Sequence, residues 1–519
     1  MTSEKSNVES SLDTSTVYRP DKNREVWLLR ILVVVGFFAL GYYFNWWWGF
    51  PGRIASPWVV LGLLLGVLYT IPQILGTWFL YLVANRHPRL PQPLDDLTVD
   101  VFVTACDEPY PLIQRTLKAA CTMRGNHRTW LLDDGYDPVL ARLAEQVGAR
   151  YLTRRDRNDA KAGNINAALA RTDGDIVVIF DADHAPLPDF LEHTLGFFRD
   201  PKVGFVHVML TFCNGHESWV AAAAAEASLD FYNPTSLGMA RVGGATMMGS
   251  NALIRRTALD SIGGYQPGLA EDLATSIALH ATGWRSAYVA EPLAPGLAPS
   301  SLAAWFTQQL KWARGVFEVL LTDYPRLFTQ LTWGQRLSYA VRMTYYWAGP
   351  VIGIHIFLTL ALLFFGDDMS RWHFQEYLIH FFPLAMLIVL IRAVALRVWR
   401  HPSLSTGLLG GAVFLVYATW PIYTLGWLLA LFRVPLAFRL TPKDRTSTLK
   451  PVWLLPQAMV SLTLYSGALY SILIGKTRFT VLLLCWALAQ SVPHLVLLWR
   501  WALELLQKPT VLRPYTDNN

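Results

Sequence analysis

Two apolar runs, residues 28–48 and 57–84, are nearly free of charge, and each is long enough to cross a bilayer. Comparable runs recur near 340–366, 376–398, 452–474 and 479–503. Between about 90 and 330 the texture changes to short apolar stretches, Gly and Pro punctuation and scattered charge. No other feature constrains the fold as tightly. The pattern predicts a helical membrane protein of about six spanning helices, plus interfacial helices, with one large soluble insert between the second and third spans.

Charge and cysteine usage narrow the function. The net charge is +6, with no dense basic block outside the flanks of the apolar runs, so it reads as positive-inside loops rather than a nucleic-acid surface. Cys106, Cys121, Cys213 and Cys485 show no ligand spacing and read as reduced thiols. Residues 1–26 are polar and of mixed charge. They lack the layout of a cleavable signal, so the first apolar run is expected to be a retained anchor behind a cytosolic tail.

Within the insert, Val99–Thr104, Thr129–Leu132 and Ile176–Phe180 read as buried strands. Helical patterns over 112–123 and 138–147 alternate with them, which predicts a parallel, doubly wound sheet. Ligands of such sheets sit beyond the carboxyl ends of the strands. Asp107, Asp133, Asp134, Asp181 and Asp183 all fall there. Asp is also ordinary turn chemistry, but Asp181 and Asp183 lie two residues apart at one strand end. Such a pair can converge on a hard divalent cation whose shell is completed by phosphate oxygens.

Lys161-Ala-Gly-Asn164 opens a helix, where free N–H groups and the dipole favour an anion. With the acidic site it suggests a diphosphate held between Mg²⁺ and Lys161. Gly249 and Ser250 lie in a small-residue loop that can approach a ligand closely. Glu271 and Asp272 start another helix, where an acid is also a usual first-turn partner of the dipole. The stretch 305–320 is amphipathic and is expected to lie along the membrane surface.

The order Asp133-Asp134-Gly135, Lys161-Ala-Gly-Asn164, Asp181-Ala-Asp183, Glu271-Asp272 and Gln308-Gln-Leu-Lys311-Trp312 resembles the processive family 2 glycosyltransferases. Within these it is most similar to the catalytic subunit of bacterial cellulose synthase. The likeness is dense over about 95–320 and continues through Phe438-Arg-Leu-Thr441-Pro-Lys443, which looks like that family's gating loop.

The resemblance implies a glycosyltransferase A-type, Rossmann-like cytosolic domain over 89–330, with its interfacial helix, set between membrane segments 27–88 and 331–507. The gating loop would occupy 436–450 and a second tail 508–519. It further implies that Asp133 binds the uracil of a UDP-sugar, with Thr104 and Glu108 nearby and Asp134 in the same motif. Lys161 would hold the diphosphate, and Asp181, Asp183 and His184 would surround Mg²⁺ (or Mn²⁺). Asp272, beside Glu271, would be the general base. Gln308, Lys311 and Trp312 would sit where donor and acceptor meet, near Gly249 and Ser250, with Trp312 under the terminal sugar. Phe438, Thr441 and Lys443 would close over bound UDP.

The chemistry agrees with these roles. A sugar hydroxyl is a poor nucleophile until a carboxylate takes its proton. UDP leaves well only when its new charge is neutralised. One base and one direct displacement invert the anomeric carbon, so an α-linked donor gives a β-linked product.

This sequence departs from the family at several places. Lys311 stands for the usual Arg, and Ala270 for the usual Thr. Thr246-Met-Met-Gly249-Ser250 replaces Phe-Phe-Cys-Gly-Ser. His207-Val-Met-Leu-Thr-Phe-Cys-Asn214 lacks the usual Gln-Thr-Pro. The sequence carries no PilZ domain, so direct activation by cyclic di-GMP is not expected.

For the insert and gating loop to share the cytosolic side, 404–432 must be interfacial or re-entrant, for which Gly407, Gly410, Gly411 and Pro421 suit it. The expected product is a β-glucan exported by the same chain across the plasma (inner) membrane, with glucose as the sugar. A β-1,3 or mixed-linkage glucan and an N-acetylglucosamine polymer stay open. So do a single-step transferase acting on a lipid phosphate and an inactive scaffold. Expected partners are a UDP-sugar, the growing polysaccharide, the lipid bilayer and accessory export or regulatory subunits, with no nucleic acid.

Overall fold

The computed structural model describes residues 23–49, 57–85, 91–92, 94, 96–365, 374–404, 410–437, 441–442, 447–474 and 480–506. Phe438 and Lys443 lie outside them, as do residues 1–22 and 507–519 of the expected tails and most of the loops expected at 49–53, 85–89, 366–370 and 475–478.

Among the described residues the insert has nine strands: β1 (Val99–Ala105), β2 (Arg128–Asp133), β3 (Arg150–Thr153), β4 (Ile176–Asp181), β5 (Val203–Val208), β6 (Thr211–Phe212), β7 (Ala252–Arg255), β8 (Arg285–Val289) and β9 (Pro295–Gly296). Seven form one sheet in the order β3-β2-β1-β4-β7-β5-β8, while β6 and β9 make a separate pair. β1 is buried along its whole length. Val101 and Val103 pack on one face with Ile113 and Leu117, while Phe102 packs on the other with Ile165 and Ile254. Burial on both faces is why these strands read as continuous apolar runs.

One feature of the sheet departs from expectation. β7 runs antiparallel to both β4 and β5. The chain enters it from Gly249–Asn251, already at the carboxyl edge, so it has to run back toward the amino edge. The other pairings are parallel. After β1 the chain builds β2 and β3 on one side and returns with β4 on the other. This strand-order reversal opens a crevice at the carboxyl ends of β1 and β4. The register puts Thr104 opposite Asp181 and Ala105 opposite Asp133.

Seven described segments are long and apolar enough to cross a membrane: Arg24–Trp48, Val60–Val83, Trp333–Phe365, Ile379–Trp399, Gly411–Leu431, Pro451–Leu473 and Leu483–Leu506. Large side chains such as Phe38, Phe357, Phe365 and Leu473 stand exposed on them, as lipid-facing groups do. Six segments match the runs read from the sequence.

The seventh is the one expected to be interfacial or re-entrant. It breaks at Thr419 into helices Gly410–Ala418 and Trp420–Leu431, of 9 and 12 residues. Together they are long enough to cross, while each alone is short of the roughly 20 residues that a single helical span needs. The second packs along the Leu302–Leu321 helix of the insert. Trp305 Nε1 donates to Thr419 Oγ1 at 2.8 Å, the Tyr423 hydroxyl reaches Gln309 Oε1 at 3.2 Å, and Phe317 meets Trp427 with ring centroids 4.9 Å apart. The amphipathic stretch 305–320 is therefore covered largely by protein, with Trp305, Phe306 and Phe317 buried.

Candidate active site

At the end of β2 the two adjacent aspartates have different partners. Asp133 is fully buried and accepts from Gly135 N (2.6 Å), Asp137 N (2.8 Å) and the Tyr151 hydroxyl (2.8 Å). Asp134 faces Arg154 in a buried two-pronged pair, at 2.7 and 2.9 Å. The same guanidinium donates to Asn158 O (2.6 Å) and Ala160 O (2.7 Å). Arg154 thus welds the β2 turn to the loop that opens the Ala160–Leu169 helix. Gly163 has to be glycine here, since a Cβ would collide with Asn158 O and the Arg154 guanidinium.

That loop aims Lys161 at the end of β4. Its Nζ pairs with Asp181 Oδ1 and donates to Gly249 O at 2.8 Å. Burial works against the charge on Lys161, but Asp181, Glu271 and Asp272 outweigh it and hold its pKa above the ordinary value. Burial likewise opposes the Asp181 carboxylate, yet Lys161 and His184 keep its pKa low.

Asp181, Asp183 and His184 each offer a ligand atom within 4.8 Å of the others. The Asp181 side chain is 37% exposed, against 5% for Asp183 and 7% for His184, so the mouth of the cluster opens at Asp181. Arg115 Nη2 donates to the Asp183 carbonyl at 3.1 Å, and Leu297 N donates to its Oδ2 at 3.3 Å. His184 is buried, and among the described residues neither ring nitrogen has a hydrogen-bond partner. A Cβ at position 296 would collide with its ring, so Gly296 makes room for it. A buried imidazole without a hydrogen-bond partner, 3.6 Å from one of two neighbouring carboxylates, is part of a donor set that can hold a divalent cation. These residues fit the metal read from the sequence.

Glu108 sits over this cluster, its Oε2 accepting from Cys106 N at 2.5 Å. Burial pushes its pKa up to about 7, and Asp181 and Asp183 add to the rise. The Thr104 hydroxyl turns the other way, to Phe180 O at 3.3 Å, and so pins β1 to β4.

On the far side, Glu271 and Asp272 head the Glu271–Ala281 helix. Burial and the neighbouring Asp272 raise the Glu271 pKa to about 7, and the ammonium groups of Lys161 and Lys311 partly offset this. Asp272 Oδ1 accepts from Leu273 N at 2.8 Å, while its Oδ2 lies 3.5 Å from Arg342 Nη2. Ser250 Oγ accepts from Asp181 N at 3.0 Å and donates to Asn251 Oδ1, locking the 243–251 loop to β4.

Lys311 and Trp312 are half-buried and Gln308 is buried on the Leu302–Leu321 helix. Thr441 is half-buried in the segment after Trp420–Leu431. Non-glycine residues with left-handed backbone cluster around the crevice: Asp107, Tyr136, Asp159, Ala160 and Asn251. Backbone strain of this kind gathers where a site is held in shape.

Sequence reasoning missed Arg154, Arg115 and Arg342. Arg154 stands one residue past β3, at the same carboxyl edge as the acids, and that position was a usable signal. Arg342 is 70 residues from Asp272, on a helix beyond the insert, and no local pattern announces it.

Residues 97–315 match the family model described as glycosyltransferase like family 2. The chain is similar to cellulose synthase 1 of Komagataeibacter xylinus, 34% identical over 328 residues that cover 59% of this chain and 21% of the relative. It is also similar to a cellulose synthase catalytic subunit of Pseudomonas fluorescens, 35% identical over 54% of this chain and 39% of the relative. The chain thus spans well under half the length of these curated relatives. Among solved structures, a mannosyltransferase from Pyrobaculum calidifontis, in complex with GDP-Man and Mn²⁺, aligns over 73% of this chain and 100% of that one. Its TM-score is 0.53 at 16% identity, a likeness of fold. The insert is a glycosyltransferase domain of family 2 with a glycosyltransferase A-type fold, and its curated relatives at 32–35% identity are cellulose synthases.

Proposed function

We propose that the chain is a processive, inverting UDP-sugar glycosyltransferase that extends a β-glucan, with glucose as the sugar, and passes it through its own membrane helices. The observation that carries this reading is Lys161. One buried ammonium lies against Asp181 of the cation cluster and within reach of the charges of Glu271 and Asp272. A donor diphosphate at the cation and an acceptor hydroxyl at Asp272 would therefore meet across a few ångströms, as a direct displacement requires.

Asp272 takes the proton of the acceptor hydroxyl, and the freed oxygen bonds to the anomeric carbon of the donor. The bond from that carbon to UDP breaks, and UDP keeps the electron pair. Lys161 and Lys311 neutralise the charge that develops on the leaving diphosphate. A divalent cation (Mg²⁺ or Mn²⁺), held by Asp181, Asp183 and His184, would supply further charge stabilisation there. Asp133 anchors the loop beside the donor base, with Glu108 nearby, and Thr104 holds β1 against β4 beneath them. Trp312 offers an indole face to the terminal acceptor sugar, with Gln308, Gly249 and Ser250 around it. Phe438, Thr441 and Lys443 would close the site after donor entry.

The broken helix pair at Thr419, packed on the insert, favours a re-entrant passage over a seventh span, with insert and closing segment on the cytosolic side of the plasma membrane. Incubating the purified full chain with radiolabelled UDP-glucose and Mg²⁺ should yield a polymer that linkage-specific β-glucanases degrade. A product of a single added sugar, or no transfer from any UDP-sugar, would sink the reading.

A further inference from the structure

Arg342 lies outside the matched domain, on the Trp333–Thr344 helix. Through Tyr345–Trp347 that amphipathic helix runs on into the apolar Ala348–Phe365, and Trp333–Phe365 together make one candidate span. The side chain is 11% exposed and points back into the insert. Nη1 donates to Met247 O at 2.9 Å, and Nη2 lies 3.5 Å from Asp272 Oδ2. The other end of the Met247 peptide is held as well: its N–H donates to Ser276 Oγ at 2.9 Å, and that hydroxyl donates to Asp272 O at 2.7 Å. One turn on, His280 Nδ1 is 2.8 Å from the Tyr339 hydroxyl, which ties the same two helices a second time.

From this geometry we propose that Arg342 is a positioning residue, through which the first membrane helix after the insert sets the place of Asp272 and of the Thr246–Ser250 loop. The inference rests on the role proposed above for Asp272. Three separate pieces of chain converge on one guanidinium: the loop, the Glu271–Ala281 helix and the membrane helix. Guanidinium suits the task because it offers several donors in one rigid plane, so a carbonyl and a carboxylate can be held at a fixed offset. The 3.5 Å separation leaves Asp272 Oδ2 free to accept from a sugar hydroxyl while the cation holds it in register. A rigid-body shift of the membrane helix, such as one caused by polymer moving past it, would then displace Asp272 and the loop together. Turnover would thus be linked to the state of the membrane helices with no contact between polymer and base.

The test compares Arg342→Met and Arg342→Lys with the unaltered full chain in lipid nanodiscs. Arg342→Met should lower kcat about 100-fold, while KM for UDP-glucose and UDP affinity stay within about twofold, the pattern of a lost transition-state arrangement rather than lost binding. Arg342→Lys keeps the charge and should recover at least about tenfold of that loss. Independently of turnover, hydrogen exchange over 244–250 and 271–276 should accelerate in Arg342→Met, with exchange in β1, β2 and β4 unchanged. Unchanged exchange in these two segments, or loss of UDP binding along with kcat, would overturn the proposal. An unaltered chain that transfers no sugar, yet shows the exchange difference, would sink the transferase reading and leave the three-way tie standing.

Discussion

At the amino edge of the seven-stranded sheet, Asp100 is fully buried and fully answered. Arg128 grips it at 2.9 and 3.1 Å, Trp130 Nε1 and Gly174 N donate at 2.9 and 2.6 Å, and Arg256 stands 3.4 Å away. At the carboxyl edge Arg154 answers Asp134 in the same way, but the groups that face the crevice are less fully matched. Among the described residues His184 has no hydrogen-bond partner, and burial, with neighbouring carboxylates adding to it, raises the pKa values of Glu108 and Glu271 to about 7. The residues come from the same short list, but at one edge the fold supplies every counter-charge. At the other it concentrates carboxylates around one lysine and leaves capacity for ligands to fill. An unsatisfied buried group costs stability, and such groups gather at functional sites.

The sharpest way to break this contrast is Asp272→Asn. The amide keeps size and hydrogen bonding but cannot take a proton. Turnover should fall by about 10²–10⁴-fold, the usual worth of a general base, with UDP affinity by calorimetry nearly unchanged. Substantial polymer from this variant would remove Asp272 from its role. Asp100→Ala is its counterpart at the amino edge. It strands Arg128, Trp130 Nε1 and Gly174 N together, and removing one member of a buried ionic group costs about 3–5 kcal/mol. Melting temperature should drop sharply, while the folded fraction keeps its KM and kcat. Loss of turnover without loss of stability would show that the two edges do not divide the work.

Legibility in the sequence follows the same division. Asp133, Asp134, Asp181 and Asp183 could be read because a strand end fixes where a side chain lies, and these strands announce themselves as short apolar runs bounded by polar turns. Lys161 could be read because a helix start does the same. The reversal of β7 could not, since a run of apolar residues carries no direction. Gly163 illustrates a subtler failure. Its motif reads as a loop shaped for an anion, but what crowds it in the fold is the Arg154 guanidinium, nine residues earlier. The Asp272–Arg342 approach joins positions whose separation only tertiary packing closes.

A smaller effect sharpens the electrostatic side of the contrast. In the folded chain the Glu108 pKa is about 7, against an ordinary 4.5, with burial the main cause. Between those values the folded state keeps a proton that the unfolded chain has lost. Stability therefore falls as pH rises through this window and stays lowered above it. Glu108→Gln keeps the carbonyl that accepts from Cys106 N and removes the ionisation. In EDTA at pH 8 the variant should be more stable by about 1–3 kcal/mol, with no gain at pH 4. Adding Mg²⁺ should narrow the difference at pH 8, because a cation at Asp181 and Asp183 offsets their repulsion of the Glu108 carboxylate. An equal gain at both pH values would mean that ionisation is not its origin.

The smallest effect is expected at Arg314, and it bears on the neutralisation proposed above for a departing diphosphate at the carboxyl edge. Lys311 and Arg314 are three residues apart on the Leu302–Leu321 helix, so sequence alone allows them to share one task. In the fold they have different surroundings. Lys311 is near enough to Glu271 to lower its pKa. Arg314 is buried and donates to Glu318 Oε2 at 2.9 Å and Val434 O at 3.3 Å, which commits it to its own helix and to the segment just after Trp420–Leu431. Arg314→Ala should therefore cost about 1 kcal/mol of stability, modest because Glu318 is 45% exposed and water screens the pair, and leave kcat within about twofold. Lys311→Ala should lose most of its turnover, and Lys311→Arg should keep it, since a planar fork grips phosphate oxygens at least as well as an ammonium does. The reverse result, Arg314→Ala inactive and Lys311→Ala near normal, would move the leaving-group cation one turn along the helix, to a residue the fold has already paired.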